Sequence, residues 1–132
     1  AVETSLSEIL GKAVAGLFYS SETDAEILPF VGKKAESVTK KTLLAQIGGR
    51  AEVAIEERNF EEFFSRLTEI QDWFGDEEKQ TAAKFADLKK LLEENLKDLK
   101  VFKVGRIEIE IYAVGLDAQG KLAGIKTKAV ET

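Results

Sequence analysis

The chain has 132 residues, a net charge of −5 and neither cysteine nor histidine. That length suits one domain, expected over residues 1–132, and the missing residue types exclude disulfides, thiolate metal sites, cysteine nucleophiles and the commonest general base. A negative chain lacks the basic footprint of a nucleic-acid binder and suits a basic partner; no apolar run approaches the roughly 20 residues of a membrane span and no signal-peptide pattern opens the sequence, so neither nucleic acid nor membrane is expected as a partner and the expectation is cytoplasmic.

Ser5-Leu6-Ser7-Glu8 has the spacing of a capping box, in which a hydroxyl and a carboxylate satisfy backbone donors of one first turn. Leu6, Ile9, Leu10, Ala13, Val14 and Leu17 follow at helical spacing and predict a first helix from about Leu6 to Phe18. Ser20 to Asp24 reads as a loop by composition. Glu26 to Val31 reads as a strand, and Pro29, which has no N–H for a ladder, assigns it to an edge or a bulge. A two-turn helix from Thr39, carrying Leu43, Leu44 and Ile47, should stop at Gly48-Gly49.

Ala51 to Glu56 alternates as a strand does, with Ala51, Val53 and Ile55 inward. Asn59, followed three residues later by Glu62, is an N-cap signal for a short helix burying Phe60, Phe63, Phe64 and Leu67. Asp76-Glu77-Glu78 opens the longest helix, since its dipole favours carboxylates at the N-terminus. That helix is expected from about Glu77 to Leu96, and Ala82, Phe85, Leu88, Leu92, Leu96 and Leu99 form the buried stripe. Lys100 to Val104 gives a further strand, and the whole order predicts an α+β sandwich.

The end of the chain reads as a hairpin. Ile107, Ile109, Ile111 and Ala113 alternate with Glu108, Glu110 and Tyr112, the mark of a strand with one buried face. Asp117-Ala118-Gln119-Gly120 supplies the turn, with Gly120 the candidate for positive φ. Ala123, Ile125, Thr127 and Ala129 then share one face. Opposite charges favour a register in which Glu110 faces Lys126 and Glu108 faces Lys128, which also sets Ile111 against Ile125.

Glu56 to Glu78 holds nine acidic residues against Arg58 and Arg66, so the acidity of the chain is local. Such a block either presents carboxylates to a basic partner or consists of caps and solvated faces. Asp72, Asp76, Glu77 and Glu78 fit no EF-hand spacing. Trp73, the only tryptophan, sits in a polar connection and either caps the core or stands exposed as an interface anchor. No catalytic constellation emerges: Ser37, Thr42 and Ser65 have no histidine, and Gly48-Gly49-Arg50 lacks the lysine and hydroxyl of a phosphate loop. By these residues the chain binds rather than catalyses.

Several motifs resemble the nuclease A inhibitor family, small proteins that block a sugar-non-specific, metal-dependent nuclease. They are Ser7-Glu8-Ile9-Leu10, Gly16-Leu17 leading to Ser21-Glu22, FFSR at Phe63 to Arg66, QDW at Gln71 to Trp73, DEE at Asp76 to Glu78, AKF at Ala83 to Phe85, and the closing LAGIKTKAVET. Asp24 to Asn59 departs from the family pattern, and Phe74-Gly75 stand where the family has a tyrosine and an acidic residue. The resemblance implies a three-layer α/β/α sandwich like the plant pathogenesis-related proteins, with a mixed, largely antiparallel sheet, and a protein monomeric when free. It also implies a one-to-one inhibitory complex made by Glu22, Gln71, Asp72, Trp73 and Thr132. Thr132 would bridge to the nuclease's own Mg²⁺, a chain-terminal carboxylate with a nearby hydroxyl being the hard oxygen donor that this ion prefers. No catalytic residue and no cofactor of its own would then be needed. The alternatives are a small-molecule or lipid-binding domain, a carboxylate enzyme, or a module for an unrelated protein partner, and a deep apolar cavity would favour the first of these.

Overall fold

The computed structural model describes residues 6–15, 17–20, 24–47, 55–69, 72–106 and 108–130. Helix α1 (Leu6–Val14) leads to strands β1 (Phe18–Ser20), β2 (Asp24–Glu26) and β3 (Leu28–Lys34), then helix α2 (Lys40–Ile47) and strand β4 (Ile55–Arg58). Helices α3 (Phe60–Thr68) and α4 (Asp76–Asn95) follow, and strands β5 (Lys97–Val104), β6 (Glu108–Leu116) and β7 (Lys121–Val130) complete the chain. The class is α+β, and the elements follow the expected order except that two three-residue strands, β1 and β2, flank the loop expected at Ser20 to Asp24; the strand expected at Glu26 to Val31 runs as β3, Leu28–Lys34.

Five strands form one sheet in the order β3-β7-β6-β5-β4, and β1 pairs with β2 in a sheet of its own. Every pairing among the described residues is antiparallel, where a mixed, largely antiparallel sheet was expected. Short connections between β5, β6 and β7 allow only antiparallel neighbours, because a parallel pair needs a long crossover. Strand β3 lies at one edge, the place a proline permits, since Pro29 has no N–H to offer a second neighbour.

The hairpin of β6 and β7 is offset by two residues from the expected register. Glu110 faces Lys128, Ile111 faces Thr127, Tyr112 faces Lys126 and Ala113 faces Ile125. A shift of two keeps every side chain on its expected face, and Glu110 still opposes a lysine. The turn decides between the two registers. Asp117 N–H donates to the Lys121 carbonyl at 2.9 Å, leaving Ala118, Gln119 and Gly120 as the loop. Gly120 takes φ +78° at the third loop position, where this hairpin type requires the left-handed conformation. The charge-based register would have put Gln119 there.

Two buried clusters occupy the two faces of the sheet. Ile109, Ile111 and Ala113 of β6 pack with Leu10 and Val14 of α1, Phe60 and Phe64 of α3, and Phe85, Leu88 and Leu92 of α4. Tyr112 and Val114, pointing the other way, pack with Phe102, Leu122, Val38 and Leu43 of α2. Strand β6 therefore has one buried face only at its start, where Glu108 and Glu110 are exposed. Beyond that both faces are covered, which its simple alternation did not predict.

Helix α1 ends at Val14 rather than Phe18. Leu17 is buried as its helical spacing suggested, but from outside the helix, where its carbonyl accepts from Ile27 N–H at 3.3 Å. Leu99 likewise belongs to β5 and not to α4. Helix α3 begins as expected, with Asn59 Oδ1 accepting from Glu62 N–H at 3.0 Å. Gly75 N–H donates to Glu78 Oε2 at 3.0 Å in front of α4, which satisfies one donor at that helix start. The capping box at Ser5, the stop at Gly48-Gly49 and the strand residues Ala51 and Val53 lie outside the described residues. No helix among the described residues is long and apolar enough to cross a membrane.

Candidate partner-binding surface

Helix α3 is amphipathic because Phe60, Phe63, Phe64 and Leu67 recur at helical spacing. Phe64 is fully buried, Phe60 packs on it at 4.8 Å between ring centroids, and Phe63 stacks on Tyr19 of β1 at 5.8 Å and 11°. This anchoring turns the opposite face, with Glu61, Glu62 and Arg66, to solvent. The chain then turns through Asp72 and Trp73 before α4 begins at Asp76.

Trp73 is 75% exposed. Of the two positions the sequence left open, it takes the exposed one. Its ring meets that of half-buried Phe74 edge-on, with centroids 4.6 Å apart and an interplanar angle of 83°. An aromatic pair of this geometry restrains both rings, so Trp73 is presented rather than loose.

The acidic block divides once its partners are known. Glu56 pairs with Arg58 at 2.7 Å, Glu61 with Lys89 at 2.7 Å, and Glu57 stands 3.9 Å from Lys100. The Lys89 ammonium is held above the ordinary lysine range, chiefly by its hydrogen bond to Glu61. Glu69, Asp72, Asp76 and Glu77 are exposed and have no ion-pair partner among the described residues. Uncompensated acidity therefore lies on both sides of Trp73 in the chain. Among the described residues no three acidic side chains are grouped as metal ligands.

Of the five residues expected to contact a partner, Asp72 and Trp73 are described, and they share one turn. Glu22, Gln71 and Thr132 lie outside the described residues. The segments flanking them are nevertheless tied together. Glu22 falls in sequence between β1 and β2, whose final pairing is Ser20 with Asp24, and Thr132 follows the end of β7. The Thr127 hydroxyl of β7 donates to the Glu26 carbonyl of β2 at 3.1 Å, while Tyr19 of β1 stacks on Phe63 of α3. Sequence reasoning missed Thr127 in this role, since a threonine on a buried strand face carries no signal of a bond across 101 residues.

Beneath α3 and α4 a cavity of about 10 Å³ lies at the junction of Tyr19, Ile27, Phe63 and Ile125. That is room for one water at most.

A family model described as nuclease A inhibitor-like protein matches residues 4–132. A search of the curated proteins gives no match. The match runs through every strand and helix of the described residues, and the chain belongs to the nuclease A inhibitor-like family.

Proposed function

We propose that this protein inhibits a sugar-non-specific, Mg²⁺-dependent nuclease, forming a one-to-one complex in which an acidic surface plugs the active site. The reading rests on one observation above the others. A tryptophan three-quarters exposed is presented on a short turn whose neighbouring carboxylates lack cationic partners among the described residues, in a chain of an inhibitor-like family. Exposed tryptophans ringed by polar groups are the residues that most often dominate an interface. Unpaired carboxylates attract the basic cleft in which a nuclease holds phosphates, and they speed encounter.

Within this reading Glu22, Gln71, Asp72 and Trp73 contact the nuclease. Thr132, where the family match ends, offers oxygen donors to the nuclease's Mg²⁺, displacing the scissile phosphate or its water and stopping metal-assisted hydrolysis. The bond from Thr127 to Glu26 supports a shared surface for Glu22 and Thr132, because it ties together the segments that lead to them. The protein acts as a cytoplasmic monomer, without catalysis or a cofactor of its own, on a three-layer sandwich of the pathogenesis-related type. Helices packed against both sheet faces favour that layering. The space of about 10 Å³ left beneath α3 and α4 speaks against a lipid buried between those helices and the sheet, which needs a cavity of at least about 300 Å³ there.

The test is a DNA-degradation assay of such a nuclease titrated with the protein and with a version carrying one extra C-terminal glycine. A stoichiometric end point that the extended version loses is the expected result. Full potency in the extended version would remove Thr132 from the mechanism, and no inhibition by either would overturn the function.

A further inference from the structure

We propose that the cleft between α3 and the β4–β5 edge of the sheet binds a small oxyanion, the phosphate of a phosphomonoester. The cleft holds about 110 Å³, and since one water needs about 10–15 Å³ on the same measure, there is room for a tetrahedral oxyanion. Among the described residues its lining includes three cations, Arg58, Arg66 and Lys103, and one carboxylate, Glu62. In a chain of net charge −5 this convergence runs against the average field.

The fold explains why these three meet. Arg58 pairs across the ladder with Val101, and Glu56 with Lys103, so Arg58 and Lys103 stand on the same sheet face as Val101. That face carries α3, because Val101 shares a cluster with Phe64. Helix α3 starts two residues after Arg58 and runs over this edge. Asn59, Glu62, Phe63 and Arg66 fall on one of its sides by helical spacing, and all four line the cleft.

Arg66 carries the inference. Arg58 is already engaged by Glu56, with Nη2 to Oε1 at 2.7 Å, whereas Arg66 has no ion-pair or hydrogen-bond partner among the described residues. A guanidinium without a carboxylate offers a planar fork of N–H donors that matches phosphate geometry. Within the FFSR motif, Phe64 fills the core and Phe63 stacks on Tyr19, which leaves Arg66 as a member that packing does not use. Tyr19 and Phe63 also line the cleft. A ligand with a flat group beside its phosphate, such as a nucleoside monophosphate, therefore has an aromatic wall to rest on. Neither Asp72 nor Trp73 is part of the lining, so this site stands or falls independently of nuclease inhibition.

The test is an NMR titration of the full ¹⁵N-labelled chain with inorganic phosphate, adenosine 5′-monophosphate and adenosine, at fixed pH and ionic strength. Saturable shifts at the amides of Asn59, Arg66 and Lys103 are expected with the first two ligands, with the monophosphate roughly tenfold tighter through stacking. Arg66→Gln, at an exposed helix position, should weaken both by roughly tenfold or more, and Arg66→Lys, which keeps the charge but not the fork, by less. Lys84→Gln, exposed on α4 outside the cleft, should leave both unchanged. Absence of saturable shifts, unaltered binding in Arg66→Gln, or adenosine binding as well as its monophosphate would each overturn the proposal. Equal affinity for phosphate and monophosphate would retain the oxyanion site and overturn the part given to Tyr19.

Discussion

The side-chain amide of Gln46 satisfies both backbone groups of Lys33: Lys33 N–H donates to Gln46 Oε1 at 2.8 Å, and Gln46 Nε2 donates to the Lys33 carbonyl at 2.9 Å. Lys33 lies where the pairing of edge strand β3 with β7 is interrupted, between Val31 and Lys34. Gln46 of α2 stands there as a strand neighbour would, and an edge so occupied is closed to pairing with another chain. Gly32 makes room for it, since a Cβ at that position would collide with the Gln46 amide. Removing the amide in Gln46→Ala should cost about 1 kcal/mol, the net worth of such half-exposed bonds, and speed hydrogen exchange at Lys33. Unchanged exchange there would show that water replaces the amide without loss.

Gly120→Ala isolates the backbone cost of the β6–β7 turn. An added Cβ at Gly120 meets nothing within 4 Å, so only the φ of +78° opposes it, at about 1–2 kcal/mol. Asn, which tolerates the left-handed region, should cost less than Ala. Urea unfolding measures both. A negligible loss for Ala would mean that the turn slides to the register in which Glu110 faces Lys126, which an NOE between their strands would reveal.

Trp73→Ala should separate binding from folding. The side chain is 75% exposed and its contact with Phe74 is an edge-on ring pair, so thermal stability should fall by under about 1 kcal/mol. Inhibition of the nuclease should weaken by about 2 kcal/mol or more, roughly 30-fold in Kd. A protein that melts much earlier, yet inhibits normally when folded, would assign Trp73 to the core instead.

Tyr112 should not titrate in the ordinary tyrosine range. It is 6% exposed and its hydroxyl donates to Glu110 Oε2 at 2.9 Å; burial, then that bond, then the Glu110 charge raise its pKa above the usual value. The neutral phenol is thus favoured in the folded protein. Its contribution to stability is complete below about pH 10, the unfolded pKa, and is lost as pH rises from there toward the folded pKa. The chain has two tyrosines, so absorbance titration of Tyr19→Phe reports Tyr112 alone. Glu110→Gln should bring its pKa down, and ionisation of Tyr112 near pH 10 before unfolding would contradict the geometry.

The elements themselves were legible because their signals are local. Asn59 and Glu62 specify a helix start within one turn, Pro29 specifies an edge by lacking a donor, and Asp117 to Gly120 specify a reversal. Distances of a few residues along the chain are enough for such effects. Helix ends were less legible, since Leu17 and Leu99 continue a helical stripe, but Leu17 is buried from a loop and Leu99 half-buried from a strand. Burial periodicity reports which side chains are inside, and a residue just past a helix can be inside as well.

Of the candidate site, residue chemistry alone established that the chain has no histidine or cysteine chemistry and that its acidity centres on Glu56 to Glu78. It also established that one tryptophan lies within that block. Which carboxylates stay uncompensated depended on lysines brought up by packing: Lys89 to Glu61 and Lys100 to Glu57. The exposure of Trp73 depended on where α3 and α4 leave the turn between them. The register of β6 on β7 depended on closing a three-residue loop around Gly120, because Glu110 meets a lysine in either alignment. Pairing charges is degenerate under a shift of two residues, whereas the position of the one glycine able to hold φ +78° is not.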